Sequence, residues 1–223
     1  MSIKATIIGS TGLIGSHLLN LIQEDDFFDE INIVVRRSVK VGHPKVKVVI
    51  IDFNDLSQFE KAMQGSDIVF SAIGTTQKKV SGDKTVYRNI DFDITVNAAK
   101  FSSTSGCKHF LVVSSIGAVS SKKGFYLRLK GEIEDALINI SKDANGFKSL
   151  SIFRPSLLLG NRSETRIAEG IGQFIGRALS FIFPSKYKPI EAKKVAEAMI
   201  EASKLNENGV KVYTYKSMKK LAQ

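Results

Sequence analysis

The chain has one cysteine, Cys107, no tryptophan and only four prolines in 223 residues. A single thiol excludes an internal disulfide, so a reducing, cytoplasmic setting is the simplest expectation. The three histidines, His17, His43 and His109, are scattered, and no segment offers four ligands at metal spacing. No apolar run approaches the roughly 18 residues that a membrane span needs. The first apolar segment begins almost at once, without a signal-peptide pattern. Acidic residues are in deficit, 22 against 32 basic ones, for a net charge of +10. A basic excess points to nucleic acid only when it is concentrated. Here it is spread in pairs: Arg36-Arg37, Lys78-Lys79, Lys122-Lys123, Lys193-Lys194 and Lys219-Lys220. No stripe interleaves them with aromatics. Nucleic acid is therefore not expected as a partner, whereas attraction of a phosphorylated small molecule is.

What is present is the balance of a globular chain. Hydrophobic residues make up 43%, enough to fill the core of one α/β domain spanning 1–223. The organising stretch is Gly9-Ser10-Thr11-Gly12-Leu13-Ile14-Gly15. The apolar run Ile3 to Ile8 before it reads as a buried strand, and Ser16 to Ile22 after it fits one face of a helix. The glycines thus sit on a strand-to-helix turn, the context of a dinucleotide fingerprint. One glycine makes the turn, one lets the backbone approach a pyrophosphate, and one lets helix and strand pack closely. The helix start turns its free N–H groups and positive dipole towards the phosphates.

The later elements alternate regularly. Strands are expected at 31–36, 46–51, 67–72, 109–114 and 150–154, and helices near 55–63, 84–104 and 125–143. The 84–104 helix carries Val86, Ile90, Ile94 and Ala98 at i, i+4 spacing. Near-continuous Val/Ile strands separated by helices mean a parallel sheet covered on both faces. The fold class expected is a doubly wound α/β sheet of Rossmann type. Residues 160–183 hold a helical apolar stripe, from Ile167 to Ile182, and are expected to give a small cap within 160–190. A helix near 191–204 and a strand from Val210 to Tyr215 complete the chain.

The strand ends carry the candidate chemistry. A carboxylate commonly stands at the end of strand two to bond the ribose hydroxyls. Here the positions are Arg36 and Arg37, which would pair with a 2′-phosphate. NADPH is therefore expected over NAD. Asp52 and Phe53 end strand three, where a carboxylate can accept from the adenine amino group. Ala72, Ile73, Gly74 and Thr75 end strand four and let the chain pass close to a cofactor. Strand five ends in Ser114-Ser115, followed by Tyr126-Leu127-Arg128-Leu129-Lys130. A phenol has an ordinary pKa of about 10 and is a poor acid or base at neutral pH. A lysine four residues on shares its helix face, and its charge favours the phenolate. With a serine hydroxyl to hold a carbonyl, Tyr126 and Lys130 make a proton-transfer set beside a hydride donor. Tyr215 and Lys219 repeat the spacing without the serine pair.

These segments, with Gly106 to Phe110, Gly131-Glu132 and Phe153-Arg154-Pro155, resemble the atypical short-chain dehydrogenase/reductases with the glycine spacing of the extended type. More narrowly, they resemble the group of the HIV Tat-interacting protein. The resemblance covers about 1–190. It implies NADPH binding and a reductase site at Ser115, Tyr126 and Lys130. It also places Ser114, Pro155 and Leu157 beside the cofactor, and a family asparagine that Asn89 could match. The stretch between Ser115 and Tyr126 is shorter than in the commonest members, which leaves open whether Ser114 or Ser115 meets the substrate. The main expectation is reduction of a small carbonyl compound by a monomer or homodimer. The rival is a non-catalytic NADPH sensor acting through a protein partner. A nucleotide-sugar epimerase or dehydratase is less favoured, because the segment after strand six is short for holding a nucleotide sugar.

Overall fold

The computed structural model describes residues 2–160, 187–205 and 207–223. Seven parallel strands form one sheet in the order β3-β2-β1-β4-β5-β6-β9. They are β1 (Lys4–Ile8), β2 (Glu30–Val35), β3 (Val46–Ile50), β4 (Ile68–Ser71), β5 (His109–Val113), β6 (Ser149–Phe153) and β9 (Gly209–Tyr213). A two-stranded ribbon pairs β7 (Leu158–Leu159) with β8 (Ile190–Glu191). The helices are α1 (Leu13–Ile22), α2 (Leu56–Met63), α3 (Lys84–Arg88), α4 (Ile94–Thr104), α5 (Phe125–Lys142), α6 (Ala192–Lys204) and α7 (Tyr215–Leu221). The order reverses beside β1, where β2 lies on one side and β4 on the other. Ligands bind at such a switch point, outside the carboxyl ends of the strands.

Period-two alternation sends each strand's side chains to two separate cores. Ile7, Ile33, Phe70, Leu111 and Phe153 pack on one face with Leu18 of α1 and Val195 and Met199 of α6. Ile8, Val34, Val69, Phe110 and Ile152 pack on the other with Phe59 of α2, Ala98 of α4 and Ile133 of α5. All ten strand residues are almost wholly buried, which explains why each strand reads as an unbroken apolar run.

Three differences from the expected elements have physical reasons. The expected 84–104 helix is broken by a π-helical turn, Asn89–Asp93, between α3 and α4. The extra residue rephases the helix, so Val86 is exposed while Tyr87 and Asp91 are buried. The strand expected to run to Tyr215 stops at Tyr213, where Thr214 and Ser217 form a capping box that opens α7. The apolar stripe from Ile167 to Ile182, expected to form the cap, lies outside the described residues.

Candidate dinucleotide site

The turn after β1 shows why its glycines are needed. Gly9 has φ +85°, and a Cβ there would stand 2.7 Å from the backbone of Ala72 and Ile73 at the end of β4. A Cβ on Gly15 would stand 2.0 Å from the Gly9 carbonyl oxygen. These two glycines therefore let α1 and β4 close on the turn, which is their packing role. Gly12 N–H donates to Gly9 C=O at 2.9 Å and closes the turn. Gly12 is the N-cap of α1 and offers no side chain to the helix start. By contrast, Asp55 and Asp83 cap α2 and α3 through their carboxylates. The leading N–H groups of α1 are left for a ligand or solvent.

A groove of about 570 Å³ opens over this turn. Gly9 to Leu13, Arg36 and Arg37, Phe53, and Ala72 to Thr76 at the end of β4 line it. Ile90 within the π turn and Ile94 at the start of α4 also line it. Ser10 is buried, yet its Oγ has no hydrogen-bond partner among the described residues. An orphaned buried hydroxyl costs about 1–3 kcal/mol unless a ligand or water completes it. Arg36 and Arg37 are exposed and have no acidic partner among the described residues. A bare helix start, an orphaned hydroxyl and two free guanidiniums fit the phosphates of a dinucleotide.

Some expected residues stand apart from that groove. Ile14 and Gly15 face inward from α1, and Ile14 is in the core. Asp52 is exposed and accepts from the Asn54 N–H and side-chain amide, so it shapes the turn after β3. Pro155 C=O accepts from Ile116 N–H at 2.9 Å, and Leu157 C=O accepts from Ile190 N–H at 3.0 Å. Both belong to the loop after β6. Asn89 is exposed, and its amide nitrogen donates to Thr85 C=O and Asp93 Oδ2 within its own helical segment.

The two serines after β5 differ. Ser114 is buried, and its Oγ donates to Glu134 of α5. Glu134 in turn accepts from Arg154 Nε through both oxygens, at 3.0 and 3.1 Å. Ser115 is half-buried, and among the described residues its Oγ makes only a long contact of 3.4 Å with Ile116 C=O. Ser115 is thus the less committed hydroxyl.

Tyr126 lies exposed on the first turn of α5. Lys130, one turn on, is buried, and its Nζ lies 2.9 Å from Asp91 Oδ2. Burial works against the Lys130 charge, but the Asp91 carboxylate, Tyr126 and Glu134 outweigh it and hold the pKa above the ordinary lysine value. Asp91 Oδ1 accepts from Thr75 N–H at 2.7 Å. Tyr87 Oη donates to Thr75 C=O at 3.0 Å. Burial, with Asp91 and Tyr126 nearby, pushes the Tyr87 phenol well up, so Tyr87 stays a neutral donor. Sequence reasoning missed Asp91 and Tyr87. The available signal was Lys130 itself, since a buried ammonium requires an acid close by.

A family described as NAD(P)H-binding matches residues 9–145 of the chain. The chain belongs to this NAD(P)H-binding family. Among its relatives, Protein HTATIP2 of Rattus norvegicus is 32% identical over 197 residues, covering 87% of this chain and 78% of that protein. Protein FMP52, mitochondrial, of Candida albicans is 31% identical over 209 residues, covering 91% and 89%. These relatives agree with the Tat-interacting-protein group that the motifs resemble. A solved structure, MoeE5 in complex with UDP-glucuronic acid and NAD, shares the fold of this NAD(P)H-binding chain with a TM-score of 0.73. It is 15% identical and covers 94% of this chain and 75% of its own. The cytoplasmic expectation is corrected here. FMP52 relatives from several fungi are named as mitochondrial, and a lone cysteine cannot tell one reducing compartment from another. Among the described residues, no helix is long and apolar enough to cross a membrane.

Proposed function

We propose that this NAD(P)H-binding chain is an NADPH-dependent reductase of small carbonyl compounds. The observation that carries the reading is the α5 pair: Tyr126 open to the surface, and Lys130 buried and charged one turn below it. Gly9 to Leu13 and the Ser10 hydroxyl would hold the pyrophosphate, and Arg36 with Arg37 the 2′-phosphate. NADPH bound there supplies a hydride. Tyr126 Oη would give its proton to the carbonyl oxygen, and Lys130 would stabilise the phenolate left behind. Ser115 Oγ would donate to the same oxygen, since Ser114 is occupied by Glu134. The apolar Ile90 and Ile94 would keep water from the inner part of the groove.

The test is a panel of small aldehydes and ketones incubated with protein and NADPH, following loss of the reduced nicotinamide. Consumption that disappears in Tyr126→Phe supports the reading. One observation favours a second reading, a cofactor sensor: the Asp91 carboxylate already neutralises Lys130. Turnover of no carbonyl, together with NADPH-dependent retention of a protein partner, would put the sensor in place of the reductase.

A further inference from the structure

The chain between β2 and β3 borders the groove at its cationic end. Val39 and Val41 are half-buried and pack against the core, while Ser38 and Lys40 are exposed. That alternation is the pattern of an extended segment. Residues 38–42 make no backbone hydrogen bond among the described residues, and the Ser38 hydroxyl has no partner among them. Arg36, Arg37 and Val39 line the groove around Ser38, whose own side chain stays outside the lining, open to solvent. A chain without backbone bonds can be drawn into the extended form that a kinase cleft accepts. Basic residues on both sides of the serine supply the charge pattern by which basic-directed kinases choose their substrates.

We propose that Ser38 is a phosphorylation site that sets cofactor choice. This inference rests on the proposed cofactor reading and adds a control to it. A protein kinase transfers the γ-phosphoryl group of ATP to Ser38 Oγ. The bond from the γ-phosphorus to its bridging oxygen breaks, the bond from phosphorus to Oγ forms, and ADP leaves. The hydroxyl proton passes to the kinase's base. The phosphoserine carries a charge of about −1.5 to −2 and three acceptor oxygens. Arg37 is adjacent to it, and Arg36 and Lys40 stand two residues to either side, so these cations lie within side-chain reach. The guanidiniums that would meet a 2′-phosphate then pair with the chain's own phosphate instead. An incoming 2′-phosphate also meets like charge. NADH presents only hydroxyls at that position and loses much less.

The test incubates the protein with ATP and the catalytic domain of protein kinase C, a kinase that selects serine between basic residues. Peptide mass spectrometry locates the phosphate. Cofactor fluorescence then reads the affinity for NADPH and NADH before and after treatment. Phosphate on Ser38 should weaken NADPH by about ten-fold or more and NADH by about two-fold or less, so that the preference is lost. Ser38→Ala should bind both cofactors as untreated wild type does, and treatment should leave it unchanged. Absence of phosphate on Ser38 overturns the inference, and so does phosphate on Ser38 with the preference kept. A loss of NADPH affinity that also appears in treated Ser38→Ala traces to another residue and overturns it too. Equal binding of the two cofactors by untreated protein fails the cofactor reading and this inference with it. A preference that survives phosphorylation fails this inference alone.

Discussion

The two ends of the candidate site treat charge in opposite ways. At the outer end, Arg36 and Arg37 stand exposed without acidic partners among the described residues, Ser10 Oγ has no partner among them either, and α1 begins without a side-chain cap. Beyond the residues that line the groove, at what we call the inner end, Lys130 is paired with Asp91, Ser114 with Glu134, and Glu134 with Arg154. The two exposed guanidiniums cost little unpaired and keep their full attraction for an incoming anion, whereas the buried Ser10 hydroxyl is completed only by a ligand or water. Buried charges must be paired, because their desolvation would otherwise exceed what they return. The outer end is therefore built for affinity, and the inner end for fixed geometry. Substitutions at the outer end should change binding, and those at the inner end should change what binding accomplishes.

The largest expected effect breaks the inner end. Tyr126→Phe removes one hydroxyl and leaves the groove walls untouched. Turnover of any carbonyl substrate found should fall by roughly 10²–10⁴-fold, the usual worth of a positioned general acid. NADPH affinity should stay within about two-fold, because the outer end supplies it. Single-turnover rates and cofactor titration on the same preparation check both halves. Unchanged turnover would remove Tyr126 from the chemistry.

The next effect breaks the outer end. Gly15→Ala forces a Cβ to 2.0 Å from the Gly9 carbonyl oxygen, which cannot be accepted without moving α1 away from the turn after β1. Destabilisation of about 1–3 kcal/mol is expected from such overpacking, read as a lower urea midpoint. NADPH binding should be lost together with it. A variant with the wild-type midpoint and wild-type affinity would show that the turn yields more easily than its geometry implies.

The same division explains what the sequence made legible. The outer end is local: a strand, a glycine turn and a helix within Ile3–Ile22, plus the pair Arg36-Arg37 at the next strand end. Turn chemistry and period-two runs are written in adjacent residues, so both the motif and the sheet could be read directly. The inner end is tertiary. Asp91 meets Lys130 only because a π turn adds a residue to the helix after β4, and no i, i+4 count anticipates that insertion. The same insertion put Tyr87 rather than Val86 into the core. Ser114 and Ser115 were indistinguishable as neighbours, and only the position of Glu134 on α5 separates them. Asp52 stood at the right strand end, but its carboxylate is used by the adjacent Asn54. Local hydrogen bonding of that kind is common for Asp in turns and is hard to foresee without coordinates.

Cofactor choice sharpens the outer end further. A guanidinium at Arg36 should favour NADPH over NADH by about ten-fold, or 1.4 kcal/mol, a modest value for a charge-assisted contact. Arg36→Asp should remove that preference, because a carboxylate repels the 2′-phosphate and accepts from a free ribose hydroxyl. Parallel titrations of both cofactors with both proteins measure it. Equal affinities in wild type, or an unchanged preference in the variant, would move the 2′-phosphate contact elsewhere.

The smallest effect distinguishes the two ends by salt. Exposed charges are screened over a Debye length of about 10 Å at 0.1 M ionic strength and about 3 Å at 1 M, whereas buried pairs are screened much less. Wild-type affinity for NADPH should therefore weaken roughly three-fold over that range, through Arg36 and Arg37. The dependence should be shallower for NADH, which lacks the 2′-phosphate, and shallower again in Arg36→Asp. The loss caused by Lys130→Met should stay constant in ratio across the same salt series, because the Lys130–Asp91 pair lies out of solvent. Fluorescence titration of the three proteins at several ionic strengths separates the cases. If the Lys130→Met ratio moved with salt as steeply as the Arg36→Asp ratio, the inner end would be as wet as the outer. The contrast between an affinity end and a geometry end would then fail.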